Sequence, residues 1–310
     1  MSSTQGEALD TLIETLENVR ATQYVTAIGL IVLLYDHALT FQDEVELVWK
    51  TKLTIAQVTF LILRYLPILG ILVENVQLSG LVVAVHFPDA FCRTWTGITT
   101  YLAAITMATS DFLVLLRLWV IWDRDRRLIA LSLVGYVMTQ LANIACVTYS
   151  VVSMTAAIVY SDDMHMCVFT QNISIATLWI PGLAFDVLIF TATVWNALLR
   201  PMPANSSMVK ALYRDGFMYF MALSSMRVGN LVLALRAPLS LKFVASFFVW
   251  CASTVTTSRF FFSIRRTAAK DEALRGGIAP EPRASLGSTE VGSINMRIMR
   301  QSVSRKWSYS

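Results

Sequence analysis

The chain has 310 residues, 55% of them hydrophobic and 15% charged, with 25 Lys and Arg against 21 Asp and Glu. A soluble domain is nearer 45–50% apolar and about a quarter charged, so this composition, with a mean hydropathy of +0.58, excludes an ordinary soluble domain and points to a membrane protein. The net charge of +4 is not a nucleic-acid signal, because the basic residues fall mostly in alternate connections between apolar runs and in the C-terminal tail.

Residues 1–21 form an acidic N-tail with neither a basic n-region nor an apolar h-region, so no cleavable signal peptide is expected. Leu9, Leu12, Ile13, Leu16 and Val19 share one face of a short amphipathic helix. We expect it to lie over the outer mouth of the bundle; a ligand-capturing lid is the sharper alternative.

Seven runs then reach the length of about 20 helical residues that crosses about 30 Å of hydrocarbon: residues 22–41, 53–73, 95–121, 128–152, 173–199, 216–235 and 241–264. They are apolar nearly all round and lack the alternation of a β-barrel strand, which favours helices. The fold expected for 22–264 is an all-α, seven-transmembrane-helix bundle. Residues 81–87 are too short to span and belong to an outer loop or to an extension of the second helix.

Basic residues mark one side. Lys50 and Lys52 follow the first run, Arg124, Arg126 and Arg127 the third, Arg200, Lys210 and Arg214 the fifth, and Arg265, Arg266 and Lys270 the seventh. By the positive-inside rule the N-terminus is outside and the C-terminus cytosolic, as for a multi-pass protein, with the plasma membrane its expected location. The tail, 265–310, is basic, Ser-rich and too poor in apolar residues to fold alone. Within it Ser285, Ser302 and Ser304 lie near arginines and are candidate phosphorylation sites.

Cys92, just before the third run, and Cys167, between the fourth and fifth, both fall on the oxidising side and are expected to form a disulfide. Their neighbours His86, His165 and Met166 raise a competing Zn or Cu site, but the spacing is irregular, so neither a metal nor another cofactor is expected. Asn172 opens a glycosylation sequon on the same side.

Ionisable groups in hydrocarbon are costly and face the bundle interior. Depth, at about 1.5 Å per helical residue, suggests three pairs among six such residues: Arg64–Asp111, Asp36–Arg117 and Asp186–Arg227. His37 follows Asp36 and points about 100° away from it. We expect Asp36 to be structural and His37 to reach the inner interface, with pH sensing as the alternative role. Pro181 and Gly182 are expected to kink the fifth helix just above Asp186.

The segment at residues 24–68 carries "YDH" at 35–37, "LTF" at 39–41 with acids after it, Trp49, and Arg64-Tyr65. In these features it resembles the opening domain of multi-pass proteins from mushroom-forming fungi, the domain-of-unknown-function family 6533. The resemblance implies a fungal integral membrane protein and carries no activity with it. The overall plan is also similar to G-protein-coupled receptors. However, the sixth run lacks a Cys-Trp-x-Pro hinge, and the seventh lacks both Asn-Pro-x-x-Tyr and the interior lysine of a retinal protein.

The first functional expectation is therefore a receptor-like or sensor protein that binds a small extracellular ligand and signals to a cytosolic partner such as a heterotrimeric G protein. The alternative is a transporter or proton-linked permease using Asp186 and Arg227. No enzyme motif appears, and no catalytic residue is nominated.

Overall fold

The computed structural model describes residues 2–51, 54–79, 88–121, 126–162, 166–171, 173–199, 207–238 and 241–276. In chain order the helices are α1 (Ser2–Glu44), α2 (Ile55–Ser79), α3 (Asp89–Ile121), α4 (Arg126–Ala157), α5 (Ile180–Leu199), α6 (Ser207–Arg236) and α7 (Val244–Gly276). A two-stranded antiparallel hairpin, β1 (Ile158–Ser161) and β2 (Met166–Phe169), follows α4 and pairs Tyr160 with Cys167. Six helices among the described residues are long and apolar enough to cross a membrane. Their outward faces carry exposed Ile31, Tyr35, Leu69, Leu131, Met138 and Val187, a surface suited to lipid rather than water.

Contacts run around a ring from α1 to α7 and back to α1, with α3 and α7 also meeting across it. The seventh helix is the least hydrophobic because it is turned inward. Trp250, Cys251, Ser253, Thr254, Thr257 and Ser258 are buried, and Thr257 shares a hydrogen bond of 2.8 Å with Ser110 of α3. Hydroxyls on such a helix find partners inside the bundle that lipid would not supply.

Helices α1 and α7 run parallel and in register. Asp36 pairs with Arg259 and Asp43 with Arg266, each across the same sequence separation of 223 residues. Two turns further toward the N-terminus, a Cβ on Gly29 would stand 3.2 Å from Cys251 Sγ, so the two backbones approach closely there. Gly70 of α2 is tighter, since its Cβ would fall 2.7 Å from Trp250 Cη2. That indole is held by Nε1 donating to Thr106 Oγ1 at 2.6 Å and has little room to give. Gly70→Ala is expected to lower stability by about 1–3 kcal/mol, readable as a lower melting temperature of the detergent-purified protein. Gly135→Ala should cost less, because its neighbour is the mobile end of Leu188.

Three boundary expectations change. The N-tail is not a separate helix: α1 runs unbroken for 43 residues, about 65 Å at 1.5 Å per residue, because no proline or glycine pair interrupts it at the expected membrane border. At its other end it passes into a π-helical turn, Val45–Trp49, so Glu44 stays within the helical column. Pro181 does not kink α5. It occupies the first turn, where a missing N–H leaves nothing unpaired, after a 3-10 turn at Ala176–Leu178. The proline inside a helix is Pro67, in α2.

Cys92 in the first turn of α3 and Cys167 in β2 form a disulfide, with Cα atoms 5.7 Å apart and 75 residues between them. The Asp89 carboxylate accepts the Tyr160 backbone N–H at 2.8 Å and fixes the hairpin to the same turn. With its sulfurs joined, this pair has no thiolates to offer a metal, which removes two donors of the weighed Zn or Cu site; His86 and His165 lie outside the described residues. Closing a loop of this length stabilises by at most about 4.5 kcal/mol in chain-entropy terms. Reduction should therefore lower the melting temperature of the wild type and leave a Cys92→Ser/Cys167→Ser variant unmoved.

Candidate functional site

A cavity of about 590 Å³ opens between the helices and beneath the hairpin. Thr15, Val19 and Thr22 of α1 line it, which puts the N-terminal part of that long helix at its wall. Met166, Cys167 and Phe169 of β2 contribute to the same lining. Below them the wall is mixed, with Thr96, Thr100, Gln140 and Asn143 set among Met107, Phe247 and Trp250. The volume lies in the range of small-molecule sites.

At the cavity floor Asp111 of α3 and Arg227 of α6 meet in an ion pair, and Arg227 Nη1 also contacts Asp186 Oδ1 of α5 at 3.0 Å. Arg227 Nη1 donates to the Gly182 carbonyl at 3.2 Å, and Ser224 Oγ donates to Asp186 Oδ2 at 3.0 Å. The glycine matters here, because a Cβ on it would press to 3.3 Å from the guanidinium. One buried arginine thus links three helices. Its planar fork reaches both carboxylates, which a lysine point charge would not do. Beyond it the void shrinks to about 10 Å³, room for about one water, and Leu115, Phe185 and Ile189 pack across the path.

A second polar cluster lies near the junction of α1 and α2. Glu44, fully buried, pairs with Arg64 Nε at 2.6 Å and accepts hydrogen bonds from Tyr65 Oη at 2.7 Å and Trp49 Nε1 at 3.1 Å. Arg64 Nη2 donates to Thr40 Oγ1 at 2.8 Å and to the His37 carbonyl at 3.1 Å. Its guanidinium also lies 5.7 Å from the Phe60 ring centroid and 5.4 Å from that of Phe262. The His37 ring packs edge-on against Tyr65, 5.2 Å between centroids. Asp36 turns the other way and meets Arg259 Nε at 2.5 Å.

Of the three expected pairs, the structure brings Asp186 and Arg227 together and separates Arg64 from Asp111. Arg64 does not meet Asp111. The extension of α1 carries Glu44 to Arg64, while Asp111 sits on the face of α3 that looks toward α6. Asp36 pairs with Arg259 of α7; the Arg117 side chain lies outside the described residues. So do Asn172, Ser285, Ser302 and Ser304. Arg259, Glu44 and Glu74 were missed as buried or bundle-facing charges. Arg259 lies plainly inside the seventh apolar run. Glu44 and Glu74 fell just past the hydropathic ends of the first two runs, although the helices continue through both.

The residues of the Glu44 cluster on α1, its π-turn and α2 come from one continuous stretch of sequence. Residues 24–69 match DUF6533, a family of unknown function. No curated protein matches the chain. Within the matched stretch, His37, Thr40, Trp49, Arg64 and Tyr65 meet one another or Glu44, while Asp36 pairs with Arg259 of α7 and Tyr35 is exposed. This gives the segment a physical reason to fold as one α1–α2 unit. The cavity floor, by contrast, is built from α3, α5 and α6, outside the matched residues.

Proposed function

We propose that the chain is a receptor-like seven-helix membrane protein of fungal type, with its N-terminus outside and its tail in the cytosol, that binds a small extracellular ligand and signals through its inner connections. The observation that carries the reading is the cavity beneath the disulfide-anchored hairpin, ending on a three-helix ion cluster. A ligand seated there lies against Arg227 and Asp111 and so bears on how α3, α5 and α6 sit together. A bound molecule shifts an equilibrium only by contacting the two arrangements differently, and this cluster is where such a difference would be felt.

Seven crossings are supported by the parallel register of α1 and α7, since two parallel helices in one bundle require an odd number of crossings between them, and α2 to α6 are five. The orientation is supported by the disulfide at one end and the basic connections at the other. Both fit a plasma-membrane location. The test is affinity capture of the intact protein from fungal membranes, with and without nucleotide depletion, probed for heterotrimeric G-protein α subunits. Association that strengthens on depletion and dissolves on adding GTP is expected; no association of the folded protein contradicts the coupling.

The carboxylates at the cavity floor, with the 10 Å³ void just beyond them, favour a second reading as a proton-linked permease. That reading requires the Leu115, Phe185 and Ile189 packing to open. Flux into proteoliposomes that is abolished by Asp186→Asn would select it.

A further inference from the structure

Resting on the reading of the cavity as a ligand site, we propose that its ligand is a small organic cation, an amine protonated at neutral pH, with Glu74 as its counter-ion. Asp36 has Arg259, Asp43 has Arg266, Glu44 has Arg64, and Asp111 and Asp186 share Arg227. Glu74 alone among these buried or half-buried acids meets no cation among the described residues, although it is only 5% exposed and lines the cavity. A buried carboxylate without a cationic partner is costly, and a ligand cation removes much of that cost.

The surroundings point the same way. Trp95 and Thr99 of α3 bear on the Glu74 carboxylate, but both are neutral donors and neither supplies a positive charge. Gln77, one turn along the same face, is also 5% exposed and has an unpaired Oε1 facing no donor. It offers a second acceptor to an ammonium that reaches Glu74. Trp250, Phe243 and Phe247 add aromatic faces to the wall, which attract a cation through the ring quadrupole. The charged residues lining the cavity are Glu74, Asp111 and Arg227, and the arginine is already held by two carboxylates. Among the described residues an anionic ligand would find no free cation there.

The test is binding to the purified full-length protein in nanodiscs by three probes of matched shape: phenethylamine, 2-phenylethanol and phenylacetate. The amine is expected to bind about tenfold or more tightly than the alcohol, and phenylacetate more weakly than either. Glu74→Gln should erase the preference, Glu74→Asp should retain part of it, and Ala104→Trp, which fills the cavity, should abolish binding of all three. Each variant is first shown to be monodisperse with its disulfide formed. Equal binding of amine and alcohol, a preference that survives Glu74→Gln, or no binding of the amine at millimolar concentration overturns the proposal. Because no signalling partner is in this assay, its outcome is separable from that of the receptor reading. Amine binding without GTP-sensitive capture removes only the G-protein coupling, and capture without an amine preference removes only the cationic ligand.

Discussion

Arg227→Met is expected to destabilise the protein by roughly 3–5 kcal/mol, the cost of stranding buried charges whose partner has gone. The arginine is 5% exposed and lies between Asp111 and Asp186, both also buried, so its loss leaves two carboxylates facing each other on α3 and α5. The effect should appear as a large drop in melting temperature and a poor yield of monodisperse protein. The triple variant Arg227→Met/Asp111→Asn/Asp186→Asn removes the charges together and should recover much of the stability, because replacing a whole buried ion cluster is far less costly than breaking it. Arg227→Lys should fall between, since an ammonium cannot hold both carboxylates and the Gly182 carbonyl in the fork geometry seen here. A single Arg227→Met variant that melts with the wild type would show that the cluster does not hold α3, α5 and α6 together.

Glu44→Ala is the second large effect, again roughly 3–5 kcal/mol. Arg64 is 2% exposed and would lose its only carboxylate among the described residues, while Tyr65 and Trp49 would lose their shared acceptor. The neighbouring Asp43→Ala is the control. Its partner Arg266 is 56% exposed in its side chain, and exposed pairs contribute about 1 kcal/mol or less. Two adjacent acids on one helix should thus differ several-fold in cost, measured by thermal melting of the two variants side by side. Equal losses would contradict the burial assigned to Glu44.

The helical, membrane-crossing character was legible in the sequence because hydropathy reports the outer faces of helices, and those faces meet lipid. Helix ends were less legible. Glu44 and Glu74 look like loop residues on a hydropathy profile, yet both lie inside the bundle, where a polar residue answers to protein rather than to lipid. The depth argument put Asp186 and Arg227 at the same level, and they are neighbours around the ring, so depth alone sufficed. For Arg64 and Asp111 depth did not give the direction each side chain faces. That direction follows from which helices touch, and a linear profile does not contain it. Asp36 illustrates the same limit: its partner is 223 residues away on α7, and only the closing of the ring brings Arg259 to it. The cavity was the least legible feature. It is assembled from single residues on every helix and on the hairpin, with no local motif, and the one signal that pointed to its floor was the Asp186–Arg227 pair.

The account turns on a cavity that opens outward and is closed at the ion cluster. The measurement that tests it most directly is cysteine accessibility in intact cells, on a Cys146→Ala background. Thr100→Cys places a thiol on the cavity wall, and Val114→Cys places one beside the small void beyond Arg227. A membrane-impermeant methanethiosulfonate applied from outside should label Thr100→Cys and leave Val114→Cys unmodified. Labelling of Thr100→Cys only from the cytosolic side, or equal labelling of both positions from outside, would contradict the account.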